Sequence, residues 1–394
     1  MNILWALLVL ALGSYGGSSG LPDHGNTKQL PSFSTSFNNA VIQSQKDQIV
    51  PSADNPPVKV DPQPDAPVVK GIYVTAYSAG GARMEQLLEL TDQTELNAMV
   101  IDIKDDLGYI TYPTKNKAIT KMGEAKSFIP DIEALMKRLE KHNVYPIARI
   151  VVFKDTILAK KKPNLSFRNK DGSVWANGKG DSFVNPYDKE VWDYNVEIAK
   201  EAAKLGFKEI QFDYVRFPEG FETRAEKLKY NQTDQSRVDV VAEFVQYARK
   251  ELAPLGVRVS VDIFGYAASV PAAEGIGQDF VKISENVDVI SPMVYPSHYS
   301  TGWYGVKDPD KDPYTTIKGS MKDTHKKLEP TKERKPIIRP WIQDFTASWL
   351  GSGHYIKYGK KQVEDQIKAM KEMDVDEYLL WNASNRYTPG VQYK

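Results

Sequence analysis

Eight short apolar runs, each but the last followed by a stretch with helical spacing, govern what this chain can fold into. The runs are Val69–Tyr77, Ala98–Ile103, Tyr145–Phe153, Phe207–Pro218, Val257–Phe264, Val287–Tyr295, Lys335–Ile342 and Glu377–Trp381. Near-continuous apolar runs of this length are what strands buried on both faces require. The stretches between them repeat their apolar residues at helical intervals. Val238, Val241, Phe244, Val245, Ala248 and Leu252 share one face, and Gly256 follows. Further helices are expected over Ala82–Thr94, Ile129–Leu139, Asn185–Leu205, Ile276–Ser284, Ile317–Leu328 and Val363–Met373. Eight strands alternating with helices are the arithmetic of a (β/α)8 barrel in the α/β class. After Trp381 only NASNRYTPGVQYK remains, so the eighth helix is expected to be short or missing. An open doubly wound sheet is the alternative, but no Gly-rich phosphate loop follows any run.

The region before Val69 has a different character. Ile3–Leu12 is an apolar run too short for a comfortable span and suited to a secretory leader. Residues 1–17 are therefore expected to be a signal peptide or an N-terminal anchor, although Met1–Asn2 carries no basic residue. Residues 18–68, rich in Ser, Asn, Gln, Asp and Pro, read as a linker without a core, and 69–394 as the catalytic domain. A secreted or surface-tethered bacterial protein is the expectation, with membrane attachment only through the N-terminus.

Composition narrows the function. The chain has 394 residues with 51 Lys plus Arg and 51 Asp plus Glu, so no basic footprint for nucleic acid exists. There is no Cys, which removes disulfides, zinc ribbons, iron–sulfur clusters and thiol nucleophiles. The five His show no metal-ligand spacing, so no metal or other cofactor is expected. No GxSxG elbow is present for serine chemistry.

What remains is carboxylates at the carboxyl ends of predicted strands, where barrel enzymes place their sites. Asp102, Asp213, Asp262 and Asp344 end runs two, four, five and seven. Two acids across a barrel mouth are what glycoside hydrolysis needs, one to protonate the leaving oxygen and one to attack or activate water. Asp213 is the candidate nucleophile or base and Asp262 the candidate acid. Tyr77, Tyr214, Tyr295, Trp341 and Trp381 lie at the same ends, with aromatic faces suited to sugar rings. Lys104, Arg216, His298 and Asn382 complete the candidate substrate contacts. Arg149 carries a charge inside an apolar run and, if inward, must find a carboxylate such as Asp102 or Asp213. About thirty residues separate the third strand from its helix, and Asp171–Gly172 in that loop reads as a hairpin turn.

The segments 70–80, VIDIKDDLGYI (100–110), ARIVVFKD (148–155), FRNKDGSVW (167–175), VNPYDKEVWDYN (184–195), EIQFDYVRFP (209–218) and ISPMVYPSHY (290–299) resemble the bacterial family called "putative glycosyl hydrolase domain". The resemblance implies a barrel related to the α-amylase type, an exported protein and an oligo- or polysaccharide as partner. In α-amylase-type barrels the nucleophile Asp ends strand four, the acid Glu ends strand five and a third Asp follows strand seven. Asp213 and Asp344 match by position, whereas Asp262 stands in place of Glu and Gln211 in place of an Arg. The rival class is a carbohydrate-binding barrel without catalysis, or a wall-remodelling accessory. A monomer is expected.

Overall fold

The structure, a computed structural model, describes residues 66–329, 331 and 335–394. The expected leader and nearly all of the expected linker lie outside the described residues. Among the described residues no helix is long and apolar enough to cross a membrane.

Eight parallel strands close on themselves. They are β1 (Lys70–Val74), β2 (Ala98–Lys104), β3 (Tyr145–Val151), β4 (Glu209–Asp213), β5 (Arg258–Phe264), β6 (Val289–Met293), β7 (Trp341–Gln343) and β8 (Tyr378–Trp381). Each pairs with its neighbours in chain order, and β1 pairs with both β2 and β8, which closes the barrel. The outer ring is α1 (Arg83–Gln93), α2 (Ile132–Lys141), α3 (Lys189–Leu205), α4 (Arg237–Leu252), α5 (Phe280–Ser284), α6 (Pro313–Leu328) and α7 (Lys360–Lys371). Among the described residues no helix follows β8, in keeping with the lack of helical spacing in the thirteen residues after Trp381.

Local chemistry sets the ends of these elements. Gly206 takes a left-handed φ of 107° and receives the end of α3. Ser236 caps α4 by accepting from the Asp239 amide, and Asp131 caps α2 through the Ala134 amide. Several boundaries differ from the sequence reading, three of them for a clear local reason. The first strand stops at Val74, because Thr75 caps a helical turn over Ala76–Ala79. The helix expected from Ile276 begins only at Phe280, behind Gly277 at φ 77° and the Asp279 cap. The seventh run splits into Ile337–Ile338 and β7 around Pro340, which has no amide hydrogen for the ladder.

Alternation along the strands makes two cores. Ile210, Phe212, Ala148 and Ile150 face outward to the helices, while Glu209, Gln211, Asp213 and Arg149 occupy the alternate positions. The inner apolar set is small: Val69, Tyr73, Ala98, Val100, Tyr145, Ile147, Tyr295, Trp341 and Leu379. A Cβ on Gly71 would lie 2.6 Å from Leu379 Cδ2, so this glycine makes room for the inner Leu. The insertion after β3 is folded onto the mouth. Its hairpin turns at Asp171–Gly172, Arg168 bridges to Val174, and buried Phe167 packs on Phe217, Phe221 and Tyr230. Burial of that ring contributes about 2–3 kcal/mol.

Candidate active site

The carboxyl ends of β2 to β5 place four acids at one mouth, three of them on a single guanidinium. Arg149 is inward-facing and buried, so its charge requires partners within the barrel. It donates from Nη1 to Asp102 Oδ1 at 2.7 Å, from Nη2 to Asp106 Oδ1 at 2.9 Å, and to Asp213 Oδ2 from Nε at 3.0 Å and Nη2 at 2.6 Å. The guanidinium carbon also lies 5.6 Å from the rings of Tyr73 and Trp381. Asp213 Oδ1 accepts from the Tyr214 amide at 2.6 Å. Asp102 Oδ2 accepts from the Tyr73 hydroxyl, also at 2.6 Å.

Asp262 stands apart. Its Oδ1 accepts from Trp341 Nε1 at 2.7 Å, and among the described residues no cation forms an ion pair with it. Burial, with the charge of Asp213 nearby, pushes its carboxyl well above the usual range. Burial likewise raises Asp102 to about 6, against the opposing pull of Arg149 and Tyr73. Asp106 goes the other way: Arg149 and Lys154 together overcome its burial and lower it. Tyr295 belongs to the inner set with Trp341, and burial together with the charges of Asp262 and Asp213 raises its hydroxyl.

Other residues singled out in the sequence fall into three groups. Trp341, Trp381 and Tyr295 line the acids: Trp381 stacks on Tyr73 at 4.1 Å and meets Trp341 edge-on at 5.5 Å. Tyr214 and Arg216 border the mouth. Tyr214 has φ 51°, and its ring lies between Lys154 at 4.7 Å and Arg216 at 4.8 Å. Arg216 pairs with Glu219 at 3.1 Å, and the cation on Asp213 is Arg149 instead. His298 and Tyr77 are exposed on the rim, the latter tilted over Phe128 at 4.4 Å.

The third group points away. A bulge between Asp102 and Lys104 turns Lys104 to the outer face of β2. There it pairs with Asp155 at 2.7 Å and donates to Asn195 at 3.0 Å, wholly buried behind the barrel wall. Asp344 is held by Thr388, whose amide donates to Oδ2 at 2.9 Å and whose hydroxyl donates to Oδ1. Asn382 donates to the carbonyls of Asp344 at 2.6 Å and Arg386 at 2.7 Å, shaping the last turn. Sequence reasoning omitted Tyr73, Asp106 and Lys154. The signal was present for Asp106 and Lys154, each just beyond the carboxyl end of a predicted strand, whereas Tyr73 lies mid-way along the predicted first run, which stops early at Val74. Among the described residues no group of three or more His, Asp or Glu is arranged to hold a metal ion.

The family described as "putative glycosyl hydrolase domain" matches residues 71–387, the whole barrel. The chain belongs to this family. A hypothetical protein from Ruminiclostridium thermocellum is similar at 36% identity, over 48% of this chain and 96% of its own, with a TM-score of 0.45. The glycoside hydrolase domain of PgaB (BpsB) from Bordetella bronchiseptica is 12% identical over 80% of this chain and 94% of its own, at a TM-score of 0.56. That likeness is one of fold. The spore cortex-lytic enzyme SleL of Bacillus megaterium is 12% identical, over 83% of this chain and 73% of its own, at a TM-score of 0.47. No curated protein sequence matches the chain. The barrel is thus a glycoside hydrolase-like one, read from family and fold together.

Proposed function

We propose that the protein hydrolyses glycosidic bonds of an extracellular or cell-envelope polysaccharide, with Asp213 and Asp262 as the working pair. One observation carries the reading: two neighbouring acids have opposite surroundings. Asp213 is ion-paired with Arg149, whereas Asp262 is buried with an indole donor alone and is shifted toward its protonated form. That division supplies one group to give a proton to the leaving oxygen and one to attack the anomeric carbon or activate water. Tyr73, Trp341 and Trp381 close the apolar side of the space, where a sugar face would lie. Export is supported by the apolar run Ile3–Leu12 alone.

A screen of purified wild-type protein against diverse polysaccharides, with Asp213→Asn and Asp262→Asn beside it, tests the proposal. Wild type should release reducing ends, and each variant should lose about 10²–10⁴-fold in kcat while still binding the glycan. An aryl glycoside with a good leaving group should restore most of the rate to Asp262→Asn and remove the basic limb of its pH profile. Glycan binding by the wild type without turnover would instead favour the carbohydrate-binding barrel. Unchanged rates in both variants would overturn the assignment.

A further inference from the structure

The acids are flanked asymmetrically. Toward β2, β3 and β4 the mouth is charged: Asp106, Lys154, Asp181 and Arg216 line it, with Lys154 Nζ 3.9 Å from Asp106 and 3.8 Å from Asp181. Toward β6, β7 and β8 it is aromatic, and the rings form an unbroken row. Tyr73 stacks on Trp381 at 4.1 Å. Trp381 meets Tyr295 at 6.4 Å, Tyr295 meets Phe345 at 5.8 Å, and Phe345 stacks on Trp349 at 5.7 Å. The row begins at Arg149 and the carboxylates and ends on the surface, where Trp349 is 46% exposed.

Packing does not account for its outer end. Trp349 lies in a short turn, Ser348–Leu350, on the loop after β7, and its neighbours Ser348 and Gly351 are exposed. Trp349 stacks on Phe345 and meets His298 edge-on at 6.5 Å, so its exposed face ends a contiguous aromatic patch and is not a lone surface side chain, and a patch of this kind on a rim marks a ligand site. The covering partner must present flat C–H surface and still reach polar groups at the inner end. A pyranose ring with all substituents equatorial does both, since its axial C–H bonds make an apolar face and its hydroxyls lie around the rim.

We propose that Trp381, Phe345 and Trp349, tied together through the buried ring of Tyr295, form a run of saccharide subsites leading out from the carboxylate pair. The protein then takes a chain of several gluco-configured rings, with the outermost rings held on Trp349. This rests on the hydrolase reading only in that its inner end is the proposed reaction centre; the binding itself needs no turnover.

Calorimetric titration of the full chain with cellobiose, cellohexaose, chitobiose and chitohexaose tests it. One hexasaccharide should bind wild type at least about tenfold more tightly than its disaccharide. Trp349→Ala should weaken that hexasaccharide about three- to tenfold and leave its disaccharide unchanged, as loss of one stacking contact at a remote subsite requires. Trp349→Phe should restore most of the affinity. Because Trp349 is exposed, the Ala variant should melt with the wild type, which separates a lost contact from a lost fold. Equal affinity of wild type and Trp349→Ala for both hexasaccharides, or no binding of either by wild type, would overturn the proposal. Binding with the expected length dependence but no turnover of any polysaccharide would sink the hydrolase reading and uphold the subsites.

Discussion

The barrel is closed at each end by an arginine among acids, and the two ends differ in their arithmetic. At the floor, wholly buried Arg339 meets Glu209 and Glu377, each at 2.7 Å, and Arg258 acts beside it on the Tyr145 hydroxyl, so two bases stand against two acids. At the mouth, Arg149 meets Asp102, Asp106 and Asp213, and beside them Asp262 has no ion-pair partner among the described residues. The mouth also holds backbone strain in an unfavourable residue type. Left-handed residues before β3 and β8 are Asn143 and Asp374, which adopt that conformation readily, whereas the one after β4 is Tyr214. A locally matched charge cluster serves to fix the fold. The proposed hydrolysis calls for the other arrangement, an excess of acid over base on a strained peptide.

Exchanging the guanidiniums for an apolar side chain should separate the ends most sharply. Arg149→Met and Arg339→Met each leave buried carboxylates uncompensated, and both should lose about 3–5 kcal/mol in denaturant unfolding. Only Arg149→Met should also lose hydrolysis per folded molecule, by about 10³-fold or more; Arg339→Met should keep it. Equal loss of specific activity in both would erase the distinction.

A smaller effect should appear in the pH dependence of stability. Asp102 is raised from 3.8 to about 6 by burial, so between those values the folded state holds a proton that the unfolded chain has released. Stability from this group is therefore present below about pH 4 and is lost as pH rises through about 6. The loss amounts to about 2–3 kcal/mol at full effect. Asp102→Asn should flatten that part of the profile in urea melts at pH 4, 5 and 6. A wild-type curve that rises over this interval more steeply than the variant's would reverse the assignment.

The smallest difference concerns Tyr214. Glycine there should stay within about 1 kcal/mol of wild type, since relief of strain offsets lost packing. Tyr214→Val should cost about 2 kcal/mol more than Tyr214→Gly, because a branched side chain is poorly tolerated at φ 51°. Matching melts for the two variants would mean that the positive φ stores no strain.

These comparisons show which parts of the molecule were legible in the chain. All eight strands announced themselves, because strands buried on both faces have to be apolar and each is bounded by polar or turn residues. Arg149 was legible for the same reason: a charge in such a run has few places to go, and it meets both Asp102 and Asp213. Lys104 was not, since strict alternation from Asp102 puts it inward and only the bulge at Ile103 turns it out. Asp344 illustrates a second limit. Its position after β7 matches the barrel pattern, but its direction is set by Thr388, 44 residues later. Arg216 follows Asp213 by three residues and yet pairs with Glu219, as a local partner at the next turn was available.

The stretch after β8 that replaces the eighth helix also bears on the order of assembly. Tyr393 accepts through its carbonyl from Lys70 Nζ at 2.7 Å, across 323 residues. Asn385 donates to the Tyr73 carbonyl at 2.9 Å, across 312. The first strand is thus secured by residues more than 300 positions later in the chain. Contacts of such separation form late, after the entropy of closing the whole chain has been overcome. During synthesis the edge of β1 facing β8 stays open until residues up to Tyr393 have left the ribosome, and for that interval the growing sheet is exposed to pairing with other chains.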